Sequence, residues 1–190
     1  MALSFANKVT IGRILAVPFF TATVLYYIPE KDYLRYVAIG IFLAAVVSDI
    51  IDGYIARTRK QKTAAGAILD PLADKLLLIS AFICLYKMGS LFGEVRFPLW
   101  LVLAVISRDV ILLLGAMIIY IVQGRLSIVP TRWGKMTTFL QALCIFGILL
   151  RWKFSVAVWC LTVIFTVISG VGYIRKGIKV LNDASSQNHR

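Results

Sequence analysis

The sequence predicts an all-α, polytopic membrane protein whose six transmembrane helices form one bundle. Of its 190 residues 60% are apolar and only 16% are charged, and the mean hydropathy is +0.86. The apolar residues fall into six runs, each near the roughly 20 residues that a helix needs to cross the hydrocarbon core. Because lipid cannot satisfy exposed backbone groups, these runs must be helical. The composition excludes a soluble enzyme, a disordered chain and a secreted disulfide scaffold.

Each predicted span is an apolar run that short polar or basic connections separate from the next. Asn7 and Thr10 stand at the start of the first span, a basic turn over Arg57–Ala65 separates the second from the third, and Lys135 stands near the start of the fifth. We expect one membrane domain over residues 1–180 and a polar tail over 181–190. In chain order the predicted spans are Val9–Ile28, Leu34–Ala56, Ala67–Lys87, Phe97–Val122, Trp133–Leu150 and Phe154–Ile174.

The distribution of positive charge predicts the orientation of the spans. Six spans place both termini on one side, and only six of the 21 Lys and Arg residues fall on the opposite side. Because Lys and Arg accumulate in cytoplasmic connections, both termini are expected to face the cytosol. The net charge of +12 is thereby explained by topology and by anionic lipid, so no nucleic-acid partner is expected. The six residues on the opposite side are Lys31, Arg35, Lys87, Arg96, Arg151 and Lys153.

Five aspartates lie in or beside apolar runs, where an isolated charge costs roughly 2.5–3.5 kcal/mol; Asp109 lies in the fourth span, and the other four form two pairs. Asp49 and Asp52 are three residues apart at the end of the second span, and Asp70 and Asp74 are four apart at the start of the third. Each pair therefore shares a helix face. Two consecutive antiparallel helices are expected to bring all four carboxylates together near the cytosolic face.

Converging carboxylates require a cation, and hard divalent ions such as Mg²⁺ or Mn²⁺ prefer oxygen ligands. Two such ions can clamp the oxygens of a transferring phosphoryl group. The neighbouring basic turn, which includes Arg57, could hold phosphates. The pattern thus predicts a metal-dependent enzyme that acts on a phosphate-bearing lipid. A small divalent-ion transporter and an inactive scaffold subunit are the rival interpretations.

Other chemistries lack the residues that they need. His189 is the only histidine, and it lies in the polar tail. This excludes histidine-based zinc sites and Ser-His triads. Cys84, Cys144 and Cys160 lie far apart inside apolar runs, and we interpret them as packed or lipid-facing thiols.

The aspartates belong to a longer motif, Asp49-x2-Asp52-Gly53-x2-Ala56-Arg57-x8-Gly66-x3-Asp70-x3-Asp74. This motif resembles, position for position, the signature of the CDP-alcohol phosphatidyltransferases, and the six-span length resembles the family over nearly the whole chain. The resemblance implies transfer of a phosphatidyl group from CDP-diacylglycerol to an alcohol, with release of CMP. It also implies a homodimer. Together with the charge distribution, it leads us to expect a bacterial-type cytoplasmic membrane, with the active site facing the cytosol.

The resemblance assigns roles to individual residues. It implies that Asp49, Asp52, Asp70 and Asp74 bind two divalent metal ions and that Asp74 is also the general base. The cytidine diphosphate would be held by residues of the motif and of a short amino-terminal element, Asn-x2-Thr-x2-Arg, which ends at Arg13. These nucleotide-binding residues are Gly53, Ala56, Arg57, Gly66, Asn7 and Thr10.

The acceptor alcohol remains open between two branches of the family. Asp70-Pro71-Leu72-Ala73-Asp74-Lys75 resembles both the phosphatidylglycerolphosphate synthases and the CDP-alcohol type of cardiolipin synthase. Ser107-Arg108-Asp109-Val110 looks more like the latter, whereas the short chain fits the former. We expect glycerol-3-phosphate as acceptor, with phosphatidylglycerol as the alternative, and Arg108 and Lys135 as anchors for the acceptor phosphate.

Simpler roles remain possible for several of these residues. Asn7 and Thr10 could cap the first helix, and Lys135 could extend its charge to the membrane interface. Arg108 and Asp109 could form a structural salt bridge inside the membrane, with or without a role in acceptor binding.

Overall fold

The computed structural model describes the backbone of residues 5–59, 64–93, 96–123 and 132–187, and the side chains of residues 11–51, 72–93, 96–117, 133–173 and 175. Within these residues the chain forms six α-helices and one short 3-10 helix, Pro29–Lys31, which joins the first two α-helices. The α-helices are α1 (Phe5–Leu25), α2 (Tyr33–Arg59), α3 (Ala64–Phe92), α4 (Leu99–Gln123), α5 (Arg132–Leu149) and α6 (Ser155–Gln187).

These helices confirm the all-α prediction, and most of their ends lie within a few residues of the predicted ones. Two differences stand out. The basic turn predicted over Arg57–Ala65 is too long, because α2 continues to Arg59 and α3 already begins at Ala64. At the other end of the chain α6 continues to Gln187, so most of the predicted polar tail is helical. Hydropathy marks where a helix leaves lipid, whereas the backbone hydrogen bonds of a helix can continue in water.

Four helices of the described part contain stretches long and apolar enough to cross a membrane: Tyr33–Ile51, Leu72–Phe92, Leu99–Met117 and Ser155–Tyr173. Shorter apolar helical stretches lie at Ile11–Leu25 and Trp133–Leu149. The predicted count of six spans therefore stays a prediction. Many large apolar side chains remain exposed along these helices, which is the surface that lipid would cover.

The chain divides into two compact units. The first, here the α1–α3 unit, contains α1, α2, α3 and the segment Ile145–Ser155, which includes the end of α5. In this unit α1 packs against both α2 and α3. Its core is rich in aromatic rings: Phe42 lies 5.7 Å from Phe20 and 5.1 Å from Phe146, measured between ring centroids. The predicted single domain over residues 1–180 stays a prediction.

A polar cluster, here the Asp32 cluster, joins the α1–α2 and α5–α6 connections of the α1–α3 unit. It consists of Tyr27, Asp32, Arg35 and Arg151. Arg35 Nη2 lies 2.8 Å from Asp32 Oδ2, and the Tyr27 hydroxyl donates to Asp32 Oδ1 at 3.0 Å. The Arg35 guanidinium, as the main donor to the carboxylate, holds the pKa of Asp32 below its ordinary value. Arg35 also donates to the carbonyl of Leu149, the last residue of α5, and so satisfies a helix end.

Arg151 joins the Asp32 cluster from an unusual backbone conformation. Its φ is +56°, in the left-handed region that favours glycine. The amides of Arg151 and Trp152 bond back to the carbonyls of Ile148 and Gly147, at 3.0 and 2.8 Å, which is a Schellman ending for α5. The side chain donates to the Phe92 carbonyl at 2.6 Å, to the Tyr27 hydroxyl at 2.9 Å and to Asp32 at 3.1 Å. One arginine therefore ties the ends of α3 and α5 to the α1–α2 connection.

The second unit, here the α4–α6 unit, contains α4, α5 up to Cys144 and α6 from Val156. Its interior carries a line of buried polar side chains, which we call the polar seam. On α5 and α6 these side chains recur every three or four residues and therefore lie on one helix face. The polar seam consists of Arg108, Asp109, Thr137, Gln141, Cys144, Thr162, Thr166 and Ser169.

Hydrogen bonds connect α5 to α6 along the polar seam. The Thr137 hydroxyl lies 3.2 Å from the carbonyl of Phe165 on α6. Thr162 donates to the Val158 carbonyl at 2.7 Å, so its single proton is engaged. The Cys144 thiol, 3.1 Å away, is therefore the donor in its contact with the Thr162 oxygen. Cys144 is thus a packed thiol, as predicted.

Candidate functional site

The helices place both predicted carboxylate pairs as the sequence indicates. Asp49 and Asp52 lie on α2 and Asp70 and Asp74 lie on α3, so each pair is separated by about one helical turn. Asp49 is half-exposed and Asp74 is half-buried. The side chains of Asp52 and Asp70 lie outside the described residues, so the convergence of all four carboxylates stays a prediction. Among the side chains that are described, no three acidic, histidine or cysteine residues converge.

Asp49 forms an ion pair with Arg13 of α1. Arg13 Nη1 lies 2.8 Å from Asp49 Oδ1, and the Arg13 side chain is only 3% exposed against 49% for Asp49. A buried guanidinium requires a counter-charge, and Asp49 supplies it from the neighbouring helix. A carboxylate offers about four lone-pair positions, so Asp49 can pair with Arg13 and still ligate a cation. Sequence reasoning placed Arg13 beside the nucleotide but did not foresee this contact.

The other predicted nucleotide-binding residues lie on described helices, while their side chains fall outside the described ones. Asn7 and Thr10 are on α1, and α1 already begins at Phe5. The capping interpretation of Asn7 and Thr10 is therefore wrong, because an N-cap precedes the first helical residue. The remaining four, on α2 and α3, are Gly53, Ala56, Arg57 and Gly66.

The donor set of α2 and α3 fits a hard divalent cation. All four candidates are aspartates, and carboxylate oxygen is the ligand that Mg²⁺ and Mn²⁺ prefer. Asp49 is half-exposed and pairs with a buried arginine, and partners beyond the metal commonly orient metal-binding carboxylates.

Arg108 and Asp109 form the predicted salt bridge in the α4–α6 unit. Arg108 Nη1 lies 2.6 Å from Asp109 Oδ1, with the side chains 6% and 0% exposed. Both residues fall inside the apolar stretch Leu99–Met117 of α4. A charge in such a stretch is costly, and pairing removes the net charge. Adjacent helix residues do not normally face each other; the length of the arginine side chain allows this contact.

Two further residues complete the network around this pair. Ser169 of α6 accepts a hydrogen bond from Arg108 Nη2 at 2.7 Å, and Gln141 of α5 donates to Asp109 Oδ2 at 3.3 Å. Lys135, the other predicted phosphate anchor, is exposed on α5, six residues before Gln141. Sequence reasoning missed Ser169. The signal that could have found it is the spacing of Thr162, Thr166 and Ser169, which share one face of α6.

Comparison with known proteins identifies the family. Residues 3–168 match the profile of the family described as CDP-alcohol phosphatidyltransferase. A protein named "Probable phosphatidylglycerophosphate synthase" from Mycobacterium tuberculosis is 33% identical over 182 residues, which cover 93% of this chain and 82% of that protein. A Bacillus subtilis protein named "CDP-diacylglycerol--glycerol-3-phosphate 3-phosphatidyltransferase" is 30% identical over 94% of this chain and 97% of its own length.

A rat protein named "Cardiolipin synthase (CMP-forming)" is 31% identical over 94% of this chain and 65% of its own length. The family match spans most of the chain, including the aspartate motif on α2 and α3. With its apolar helices, the protein is an integral membrane transferase of phospholipid biosynthesis. The chain belongs to the CDP-alcohol phosphatidyltransferase family.

Proposed function

We propose that this enzyme transfers the phosphatidyl group of CDP-diacylglycerol to glycerol-3-phosphate and releases CMP, giving phosphatidylglycerolphosphate. The observation that carries the proposal is the motif of eight fixed residues between Asp49 and Asp74, which lie on α2 and α3 inside the family match. Substrates of this kind, CDP-diacylglycerol and an alcohol, fit the family.

Members of the family generally depend on a divalent metal, and we assign the binding of two Mg²⁺ or Mn²⁺ ions to Asp49, Asp52, Asp70 and Asp74. Such ions, when bound, neutralise the pyrophosphate and stabilise the leaving CMP. Arg13 supports this assignment, because a buried guanidinium 2.8 Å from Asp49 restrains the orientation of that carboxylate.

The proposed chemistry is a direct displacement. The acceptor hydroxyl attacks the β-phosphorus of CDP-diacylglycerol, the bond to the CMP oxygen breaks, and Asp74 takes the hydroxyl proton. A carboxylate can act as this base without any histidine, and Asp74 is half-buried on α3. We assign the binding of the cytidine diphosphate to Gly53, Ala56, Arg57, Gly66, Asn7 and Thr10.

Cardiolipin synthesis, with phosphatidylglycerol as acceptor, is the second candidate. It is favoured by the rat relative named cardiolipin synthase and by the run Ser107-Arg108-Asp109-Val110. Glycerol-3-phosphate remains the preferred acceptor, because a relative named for it is matched over more of its own length: 97% for the Bacillus subtilis protein against 65% for the rat protein. Arg108 and Lys135 are the proposed anchors for the acceptor phosphate.

We also propose a homodimer in a bacterial-type cytoplasmic membrane, with both termini and the active site facing the cytosol. The charge distribution supports this orientation. So does the Asp32 cluster, in which Arg35 and Arg151, both assigned to the opposite side, meet at one carboxylate. Labelling of an added C-terminal cysteine by a membrane-impermeant reagent tests the orientation, and light scattering in detergent tests the dimer.

The central experiment is an acceptor panel. Purified full-length protein receives CDP-diacylglycerol with Mn²⁺ or Mg²⁺ and either glycerol-3-phosphate or phosphatidylglycerol. Released CMP is measured and the lipid product is identified. We expect metal-dependent CMP release with glycerol-3-phosphate. Release with phosphatidylglycerol alone would assign cardiolipin synthesis instead, and no release with any alcohol tried would refute the proposal.

Asp74→Asn tests the assignment of the general base. This variant keeps the shape and one ligating oxygen of the side chain but cannot take a proton. We expect turnover to fall by a factor of about 10² or more, with CDP-diacylglycerol binding retained. A rate like that of the unsubstituted enzyme would overturn the assignment.

A further inference from the structure

The interior of the α4–α6 unit is more polar than a helix packing surface requires. Arg108, Asp109, Gln141 and Ser169 form one connected network, and each is at least nine-tenths buried. A buried ion pair is a weak source of stability, and apolar residues of similar volume often serve as well or better. Ionisable residues within membrane segments commonly mark a ligand path or site.

The network also leaves hydrogen-bonding capacity unused. Within the described part of the chain, Arg108 Nε and Gln141 Oε1 are buried without a partner. A guanidinium has five N–H donors, and the contacts to Asp109 and Ser169 engage Nη1 and Nη2. A further donor therefore remains on a fixed, buried cation.

The guanidinium of Arg108 is held from three helices. Asp109 on α4 and Ser169 on α6 engage its two terminal nitrogens, while Gln141 on α5 holds the second oxygen of Asp109. The side chain also passes close to the α6 backbone, since a Cβ added at Gly170 would lie 4.0 Å from Arg108 Cγ. Loss of one contact would allow the guanidinium to rotate without removing its charge.

We propose that Ser169 and Gln141 are positioning residues for acceptor recognition. Ser169 holds the guanidinium of Arg108 directly, and Gln141 holds it through Asp109. Together they fix its planar fork so that its remaining N–H donors meet the phosphate of the acceptor. Phosphate oxygens match this fork in geometry and charge. The phosphate is either the monoester of glycerol-3-phosphate or the diester of phosphatidylglycerol. This inference rests on the proposed phosphatidyl transfer and adds residues to its acceptor site.

The test compares full-length variants in steady-state kinetics with each substrate varied in turn. Ser169→Ala removes the acceptor of the Arg108 bond, and Gln141→Met removes the donor to Asp109 at similar volume. We expect the KM for the acceptor to rise about tenfold in each, because a hydrogen bond to a charged group contributes about that factor. The KM for CDP-diacylglycerol should change less than about twofold, since its site is proposed on α1, α2 and α3.

Two matched variants separate positioning from stability. Ser169→Thr keeps a hydroxyl at the same position and should restore the KM for the acceptor. Thr166→Val is the control, one turn away on α6. It removes a buried hydroxyl that has no partner in the described part of the chain, and it should leave the KM for the acceptor unchanged. Thermal unfolding of all variants identifies any that fail to fold, and the Ser169→Thr result then decides the question.

The assay is run with glycerol-3-phosphate and, in parallel, with phosphatidylglycerol, and the arm in which KM rises identifies the source of the phosphate. An active wild-type enzyme whose acceptor KM is unchanged in Ser169→Ala and Gln141→Met would overturn this inference alone. Equal rises in the KM for the acceptor and the KM for CDP-diacylglycerol would overturn it as well, because they indicate a general structural effect. A wild-type enzyme without CMP release would instead refute the proposed function.

Discussion

Replacement of Arg151 separates the strain in its backbone from the contacts of its side chain. Its φ of +56° costs a non-glycine residue about 1–2 kcal/mol. Its bonds to the Phe92 carbonyl and the Tyr27 hydroxyl contribute about 1 kcal/mol each. The half-exposed ion pair with Asp32 is largely screened by solvent and adds little to these bonds. Arg151→Ala should therefore lower the free energy of unfolding by about 2 kcal/mol.

Arg151→Gly loses the same side-chain contacts but releases the backbone strain. It should be more stable than Arg151→Ala by about 1 kcal/mol, once the greater freedom of glycine in the unfolded chain is counted. In a chain of this length 1 kcal/mol corresponds to about 2–4 °C in Tm. Lys153→Ala removes an exposed positive charge from the same connection and should change the stability by less than about 0.5 kcal/mol.

Thermal unfolding in one detergent, followed by far-UV circular dichroism, measures all four proteins. We expect the order wild type, Arg151→Gly, Arg151→Ala from highest to lowest Tm, with Lys153→Ala near wild type. An Ala variant as stable as wild type would show that the Asp32 cluster contributes no stability. A Gly variant less stable than the Ala variant would refute the strain argument.

Three further predictions concern charged pairs. Asp109→Ala should destabilise the protein by about 3–5 kcal/mol because it leaves Arg108 buried and without its counter-charge. The double variant Arg108→Met/Asp109→Leu should lose less stability. Equal losses of stability in thermal unfolding would contradict this argument. The lowered pKa of Asp32 contributes stability that is present above its ordinary pKa and is lost as pH falls below about 4. As the pH is lowered, the Tm of wild type should therefore fall more steeply than the Tm of Asp32→Asn. Parallel curves of Tm against pH would contradict this contribution of Asp32. Arg13→Ala should raise the Mn²⁺ concentration for half-maximal CMP release about 10–100-fold, and an unchanged requirement would exclude a role in orienting Asp49.

Much of the fold follows from one-dimensional patterns. The apolar runs predict the six α-helices to within a few residues at most ends, because burial in lipid and backbone hydrogen bonding both act locally. The prediction is weakest where helices extend beyond the apolar runs, at Arg59 of α2 and beyond Ile174 of α6, since hydropathy there no longer marks a boundary.

The candidate site was predictable where its residues share a helix. Asp49 with Asp52, and Asp70 with Asp74, are one turn apart in the sequence and remain so on α2 and α3. Arg108 and Asp109 were predicted as a pair because they are neighbours and a lone charge in lipid is costly. The contact of Arg13 with Asp49 was not foreseen, because it depends on how α1 is rotated against α2.

The sequence by itself determined the helices and the class of chemistry, because periodicity and residue type are properties of a single segment; the residues proposed to carry that chemistry stay a prediction. Only the tertiary structure decided which distant groups meet: Ser169 with Arg108, Gln141 with Asp109, and Arg151 with Asp32 and the end of α3. Each of these contacts joins helices or connections far apart in the chain. Their formation depends on the rotation and depth of each helix, which are set by packing of the whole interior and not by the pattern of any one helix.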